Sequence, residues 1–121
     1  MQTFSSLYSL RQPPLGKRTI FIGGRIELCV DEVNYFEAAG NYTIAHLNSQ
    51  KKIMVATTLG KIADRSSSLS LFVRPCRGLL INANYIDGYD FSQIVLKNSL
   101  NITIPRRKRQ EIFNELDALV G

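Results

Sequence analysis

Short apolar runs punctuated by glycine and asparagine dominate the chain from residue 19 to residue 104, and they restrict it to a fold made mainly of antiparallel strands. Residues 19–22 and 25–30 flank Gly23-Gly24, which predicts a hairpin closed by a tight two-glycine turn. Residues 33–38 predict a third strand. Gly40 and Asn41 tolerate positive φ and turn the chain into a second hairpin, in which residues 42–47 alternate and residues 52–56 return. Further strand-like segments occupy residues 71–74, 79–82, 85–89, 93–97 and 101–104, the last two facing each other across Asn98-Ser99.

The period changes to that of a helix in two places. Leu59, Ile62, Ala63 and Leu69 share one helical face, and Thr57 or Thr58 can cap its start, so a short helix is expected between residues 57 and 69. Gly60 and the serines at 66, 67 and 68 oppose its extension. From Pro105 onward, Ile112, Phe113, Leu116, Leu119 and Val120 recur at helical spacing, and a proline suits a first turn because its missing N–H would be unpaired there anyway. The expected fold is mostly β and antiparallel, with one short internal helix and a C-terminal helix. Residues 1–16, rich in serine and proline with little periodicity, predict a flexible N-terminal arm before a folded domain at 17–121.

A chain of 121 residues can bury about 65% of its unfolded surface in one core, so no second domain is needed. Fifteen Lys and Arg against ten Asp and Glu give a net charge of +5, which favours a polyanionic partner such as nucleic acid or an acidic membrane surface. No window approaches the ~18 uncharged apolar residues of a membrane span. The two cysteines, Cys29 and Cys76, lie in unrelated contexts, and no signal-like stretch opens the chain. Together these features predict a reduced, cytoplasmic protein that does not enter a membrane.

Three segments concentrate chemistry. Arg106-Arg107-Lys108-Arg109 follows Pro105 at the expected start of the last helix. Cations there oppose the helix dipole at ~0.3 to 1 kcal/mol each, whereas the free N–H groups and the cations both attract phosphate. A solvated, solubilising face would have the same composition. In Arg74-Pro75-Cys76-Arg77-Gly78, proline cannot donate to a ladder and glycine admits unusual conformations, so the segment is expected to leave the sheet as a loop or sharp bend. Its arginines would clasp a phosphate or read guanine, or instead pair with Asp31, Glu37 or Asp87. Gly40-Asn41-Tyr42 presents an amide and a phenol; asparagine can read adenine, and Gly-Asn is also an ordinary turn pair.

Catalytic groups are sparse. His46 is the only histidine, falls in strand register with Tyr42 and Ile44, and has no serine or cysteine motif beside it, so a structural role is expected. Two cysteines and one histidine do not supply a closed zinc site, and no glycine-rich phosphate loop precedes a Lys-Ser or Lys-Thr pair. No catalytic residue, metal or cofactor is assigned. Cys76, close to Arg74 and Arg77, has a setting that could make it redox-sensitive, although packing is the plainer role.

Three stretches resemble the LytTR family of DNA-binding domains: "VDEVNYFEAAGNYTIAHL" at 30–47, "TTLGKIADRSSSLSLFVRPCRGLLINANYIDGY" at 57–89 and "NITIPRRKRQEI" at 101–112. The resemblance runs from about residue 17 to about residue 116, and three ordered motifs make it specific. It implies an elongated β-β-β sandwich that binds promoter DNA through loops and reaches successive major grooves. It places the family's base-contacting positions on Asn41, Arg77 and Arg106, with Arg107 and Lys108 on phosphates. The chain departs from the family where Pro75-Cys76 stands for the usual Val-His, Gly78 for serine, and Pro105 for the serine of the third motif.

The expected function is that of a transcription regulator binding promoter repeats on double-stranded DNA, as two copies on repeated half-sites and without catalysis. Arg106, Arg107 and Lys108 would dominate its salt dependence, while Asn41, Tyr42, Arg74 and Arg77 complete the site. Members of the family are mostly attached to a phosphorylated receiver domain downstream of a histidine kinase, and the initial Met and the arm favour a stand-alone regulator over a fragment. The rival expectations are a basic β scaffold for RNA or an acidic protein partner, and a small hydrolase built on His46.

Overall fold

Residues 18–121 are described by a computed structural model. The expected arm, residues 1–16, lies outside the described residues. Among the described residues, ten strands, two α-helices and short 3₁₀ turns alternate, and the strands form sheets of two, five and three members.

Strands β1 (Thr19–Gly23) and β2 (Ile26–Cys29) make a separate hairpin. Its turn is Gly24-Arg25, not Gly23-Gly24. Both turn residues lie in the left-handed region, at φ 60° and 63°, which is the sign pattern of the type I′ turn that follows strand twist. Gly23 closes β1 at φ 107°, and a Cβ there would strike the Thr57 hydroxyl.

The five-stranded sheet is the middle of the molecule. In spatial order it runs β5 (Lys52–Val55), β4 (Tyr42–Leu47), β3 (Val33–Ala39), β7 (Leu79–Asn82), β6 (Phe72–Cys76), antiparallel throughout. Helix α1 (Leu59–Ser66) connects β5 to β6 and is prolonged by a 3₁₀ turn over Ser67–Leu69. Thr58 takes the capping position, but its hydroxyl makes no capping bond. Strands β8 (Ile86–Tyr89), β9 (Gln93–Leu96) and β10 (Asn101–Thr103) form the third sheet, and a 3₁₀ turn at Arg106–Lys108 leads into α2 (Arg109–Leu119).

Alternation along the middle sheet sends side chains to both faces, and each face closes its own core. Phe36 and Leu80 join Ile22, Leu28, Leu59 and Ile62 beneath the β1–β2 hairpin and α1. Val73 and Ile81 join Ile94, Ile104, Ile112 and Leu116 beneath the third sheet and α2. Three β layers therefore stack in the β-β-β order that the resemblance implied. Burying a side chain such as Phe36 or Leu116 completely contributes about 1.5–3 kcal/mol. Asn82 ties the middle layer together from inside: its Nδ2 donates to Val33 O at 2.9 Å and its Oδ1 accepts from the Asn84 amide at 2.8 Å.

The last helix buries a narrower face than its sequence suggests. Ile112 and Leu116 are sealed, but Val120 lies beyond α2 and is 40% exposed.

Candidate nucleic-acid interface

Sheet register brings two of the expected reading turns together. Gly40-Asn41 joins β3 to β4, and Arg77-Gly78 joins β6 to β7. Because Glu37 of β3 stands opposite Leu79 of β7, both turns leave the same end of the sheet. The Ala38 amide donates directly to Gly78 O at 2.9 Å, so the end of one hairpin is bonded to the tip of the other. Gly40 lies at φ 64° while Asn41 keeps a negative φ, the pattern of a type II′ turn. Asn41, Tyr42 and Arg77 are all exposed there.

The Arg74–Gly78 segment does not leave the sheet as a loop. Arg74, Pro75 and Cys76 belong to β6, and only Arg77-Gly78 is turn. The pairing Val73↔Ile81 gives way to Cys76↔Leu79, so β6 carries one residue more than its partner: a β-bulge at Arg74-Pro75. Strand β6 is the edge of its sheet, where a proline's missing N–H breaks no ladder bond. Gly78 keeps a negative φ, and a Cβ on it would meet nothing within 4 Å, so the turn makes no use of glycine's freedom.

Arg74 differs from Arg77 in orientation. Its Nη2 donates to Arg77 O at 3.0 Å, and its Nε is buried without a partner. It lines a cleft of about 410 Å³ between α1, β6 and α2, together with Phe72, Lys108, Glu111 and Glu115. The hydrogen bond of Arg74 goes to the backbone carbonyl of Arg77 and not to the carboxylate of Asp31, Glu37 or Asp87.

The basic run 106–109 divides into different roles. Arg106 and Arg107 are exposed on the 3₁₀ turn. Lys108 is half-buried and faces the cleft. Arg109 opens α2 and donates from Nε to Ile104 O at 3.0 Å. Arg106, Arg107 and Lys108 therefore precede the α-helix, only Arg109 lies in its first turn, and the Lys108 amide is already bonded to Pro105 O at 2.8 Å. Glu111 and Glu115 went unassigned in the sequence; their spacing of three and seven residues from Lys108 on a helix was the available signal. Burial raises the Glu115 carboxyl above its ordinary range, Glu111 adds to this, and Lys108 opposes it.

His46 has the structural setting expected of it. Its Nε2 lies 2.8 Å from Glu37 Oε1, and its ring stacks on Tyr35 with centroids 4.2 Å apart. Burial, with Glu37 and then Tyr85 nearby, raises the Tyr35 hydroxyl. Cys29 is buried and Cys76 half-buried, both as free thiols. Among the described residues no cluster of His, Cys, Asp and Glu could hold a metal ion, and no helix is long and apolar enough to cross a membrane.

The described residues form a layered β domain that exposes Asn41, Tyr42 and Arg77 at two adjacent turns, with Arg106 and Arg107 exposed before its last helix. The model of the LytTr DNA-binding domain matches residues 23–117, and the chain belongs to that family. Among solved structures it is similar to the LytTr DNA-binding domain of a Bacillus cereus protein described as a methyl-accepting/DNA response regulator, at 17% identity and a TM-score of 0.58, over 85% of this chain and 97% of that one. At that identity the likeness speaks for the fold. No curated protein matches significantly.

Proposed function

We propose that this chain is a sequence-specific, non-catalytic regulator of transcription that reads the major grooves of duplex DNA through its turns. Asn41, Arg77 and Arg106 face base edges and Arg107 faces phosphate, with Tyr42 beside them, while Lys108, which lines the cleft, is the weaker phosphate contact. The observation that carries this reading is the shared end of the sheet: Ala38 N–H bonded to Gly78 O ties the turn that holds Asn41 to the turn that holds Arg77, in a family of DNA-binding domains. Rigid spacing matters because a base contact discriminates only when its donors arrive in register with the base edge. Two copies would occupy repeated half-sites at a promoter, in the cytoplasm, under a receiver domain or histidine kinase elsewhere in the pathway.

Selection of bound duplexes from a random library tests the proposal, with the recovered sequence then used for single variants. Arg77→Ala is expected to cost about 1–3 kcal/mol on the selected duplex and to relax its sequence preference. Equal losses on selected and scrambled duplexes would make Arg77 a phosphate contact. Recovery of no duplex, with binding to single-stranded RNA or an acidic protein instead, would favour a basic scaffold.

A further inference from the structure

We propose that Arg74 is a positioning residue, which aims the Arg77-Gly78 turn and touches no DNA itself; the inference rests on the reading of Arg77 as a base contact. Two-residue hairpin loops favour positive φ at one or both central residues, because such turns twist with their strands. The other two short hairpins comply, with Gly24 at 60°, Arg25 at 63° and Gly40 at 64°. Arg77 and Gly78 both have negative φ, so the β6–β7 turn lacks that built-in match and its direction has to be set by outside bonds.

Two such bonds exist, one for each turn carbonyl. Gly78 O accepts from the Ala38 amide at 2.9 Å, and Arg77 O accepts from Arg74 Nη2 at 3.0 Å. The bulge between Val73 and Cys76 lies where Arg74 departs, three residues before the carbonyl it holds. Bulges are a recurrent device for re-aiming a side chain beside a functional site. A guanidinium suits the task because its planar fork is stiff and fixes the direction of its one bond to Arg77 O, whereas a lysine ammonium is a flexible point charge.

Burial and charge agree with an inward role. Arg74 Nε is buried and unpartnered, an arrangement that stability alone would not select. Glu111 and Glu115 line the same cleft, a setting that disfavours a phosphate beside Arg74.

Arg74→Met keeps the aliphatic stem and removes the donor. In the free protein it should speed hydrogen exchange at the Ala38 amide and move the backbone resonances of Arg77 and Gly78, with the rest of the spectrum kept. On DNA, the preference for the selected over a scrambled duplex should fall about tenfold or more, the slope of log K against log salt should stay as in the wild type, and adding Arg77→Ala should cost nothing further. Should Arg74→Met fail to fold, Arg74→Lys, which keeps the charge without the fork, gives the same reading. Unmoved turn amides, additive losses with Arg77→Ala, or equal weakening on both duplexes with a slope shallower by about 0.9 would each overturn the assignment. If Arg77→Ala alone left the preference intact, the base-reading role of Arg77 would fall first; a loss with Arg77→Ala and none with Arg74→Met would overturn only the role of Arg74.

Discussion

At the residue scale, the two glycines of the proposed reading turns behave oppositely. Gly40 sits at φ 64° with open space around it, so a side chain there would fit but the backbone would be strained, at about 1–2 kcal/mol for a non-glycine in the left-handed region. Gly78 has neither strain nor a close neighbour. Urea unfolding should therefore show Gly40→Ala destabilised by about 1 kcal/mol and Gly78→Ser unchanged within about 0.5 kcal/mol. A large loss in Gly78→Ser would mean that the turn uses a backbone conformation that serine cannot share. The contrast was not legible in the sequence, because Gly-Asn and Arg-Gly are both acceptable turn pairs and only the pairing on either side decides the sign of φ. Arg74 was equally opaque: two arginines three residues apart read as one cluster, and the bulge between them turns one back onto the backbone of the other.

At the scale of elements, the hairpins were legible wherever a glycine or asparagine pair interrupted alternation, and β3 through β5 fall within a residue or so of their expected bounds. Only the second half of the edge strand β6, residues 74–76, departs from its expected form as a loop, since proline is a breaker in a central strand and harmless at an edge, and edge position depends on the tertiary order β5-β4-β3-β7-β6. Helix α2 carries a second consequence of tertiary placement. Its carboxyl at Glu115 is raised by burial first and Glu111 second, so its protonated form is favoured in the fold more than in the unfolded chain. A group of this kind contributes stability in acid and loses that contribution as pH rises through its folded pKa; at neutral pH the ionised form is a burden. Glu115→Gln should therefore raise the midpoint of unfolding at pH 7, and the advantage should shrink as pH falls through the raised folded pKa and be gone below about 4.3, the ordinary glutamate value. An advantage that stayed constant down to acid pH would place its origin in helix propensity instead. In the same helix, Leu116→Ala should cost about 2–5 kcal/mol because Leu116 is fully sealed, while Val120→Ala should change stability by less than about 0.5 kcal/mol.

At the scale of the whole molecule, three stacked layers fix where positive charge can act. Of the cations assigned to DNA, Arg77, Arg106 and Arg107 are exposed, whereas Lys108 turns toward a cleft that also holds Glu111 and Glu115. A cation already balanced by carboxylates displaces fewer counterions when a phosphate approaches, so equal contributions to affinity are not expected from the neighbours 106, 107 and 108. Each phosphate neutralised steepens the log-log salt dependence by about 0.9. Arg107→Ala should weaken selected and scrambled duplexes alike and make the slope shallower by about that amount, followed by fluorescence anisotropy between about 50 and 200 mM salt. Lys108→Ala should change the slope by clearly less, since Lys108 is half-buried and lines the cleft that Glu111 and Glu115 also line. A change as large for Lys108 as for Arg107 would show that DNA draws Lys108 out of the cleft, freeing Glu111 and Glu115 to approach Arg74 and linking the phosphate contact to the residue that aims the reading turn.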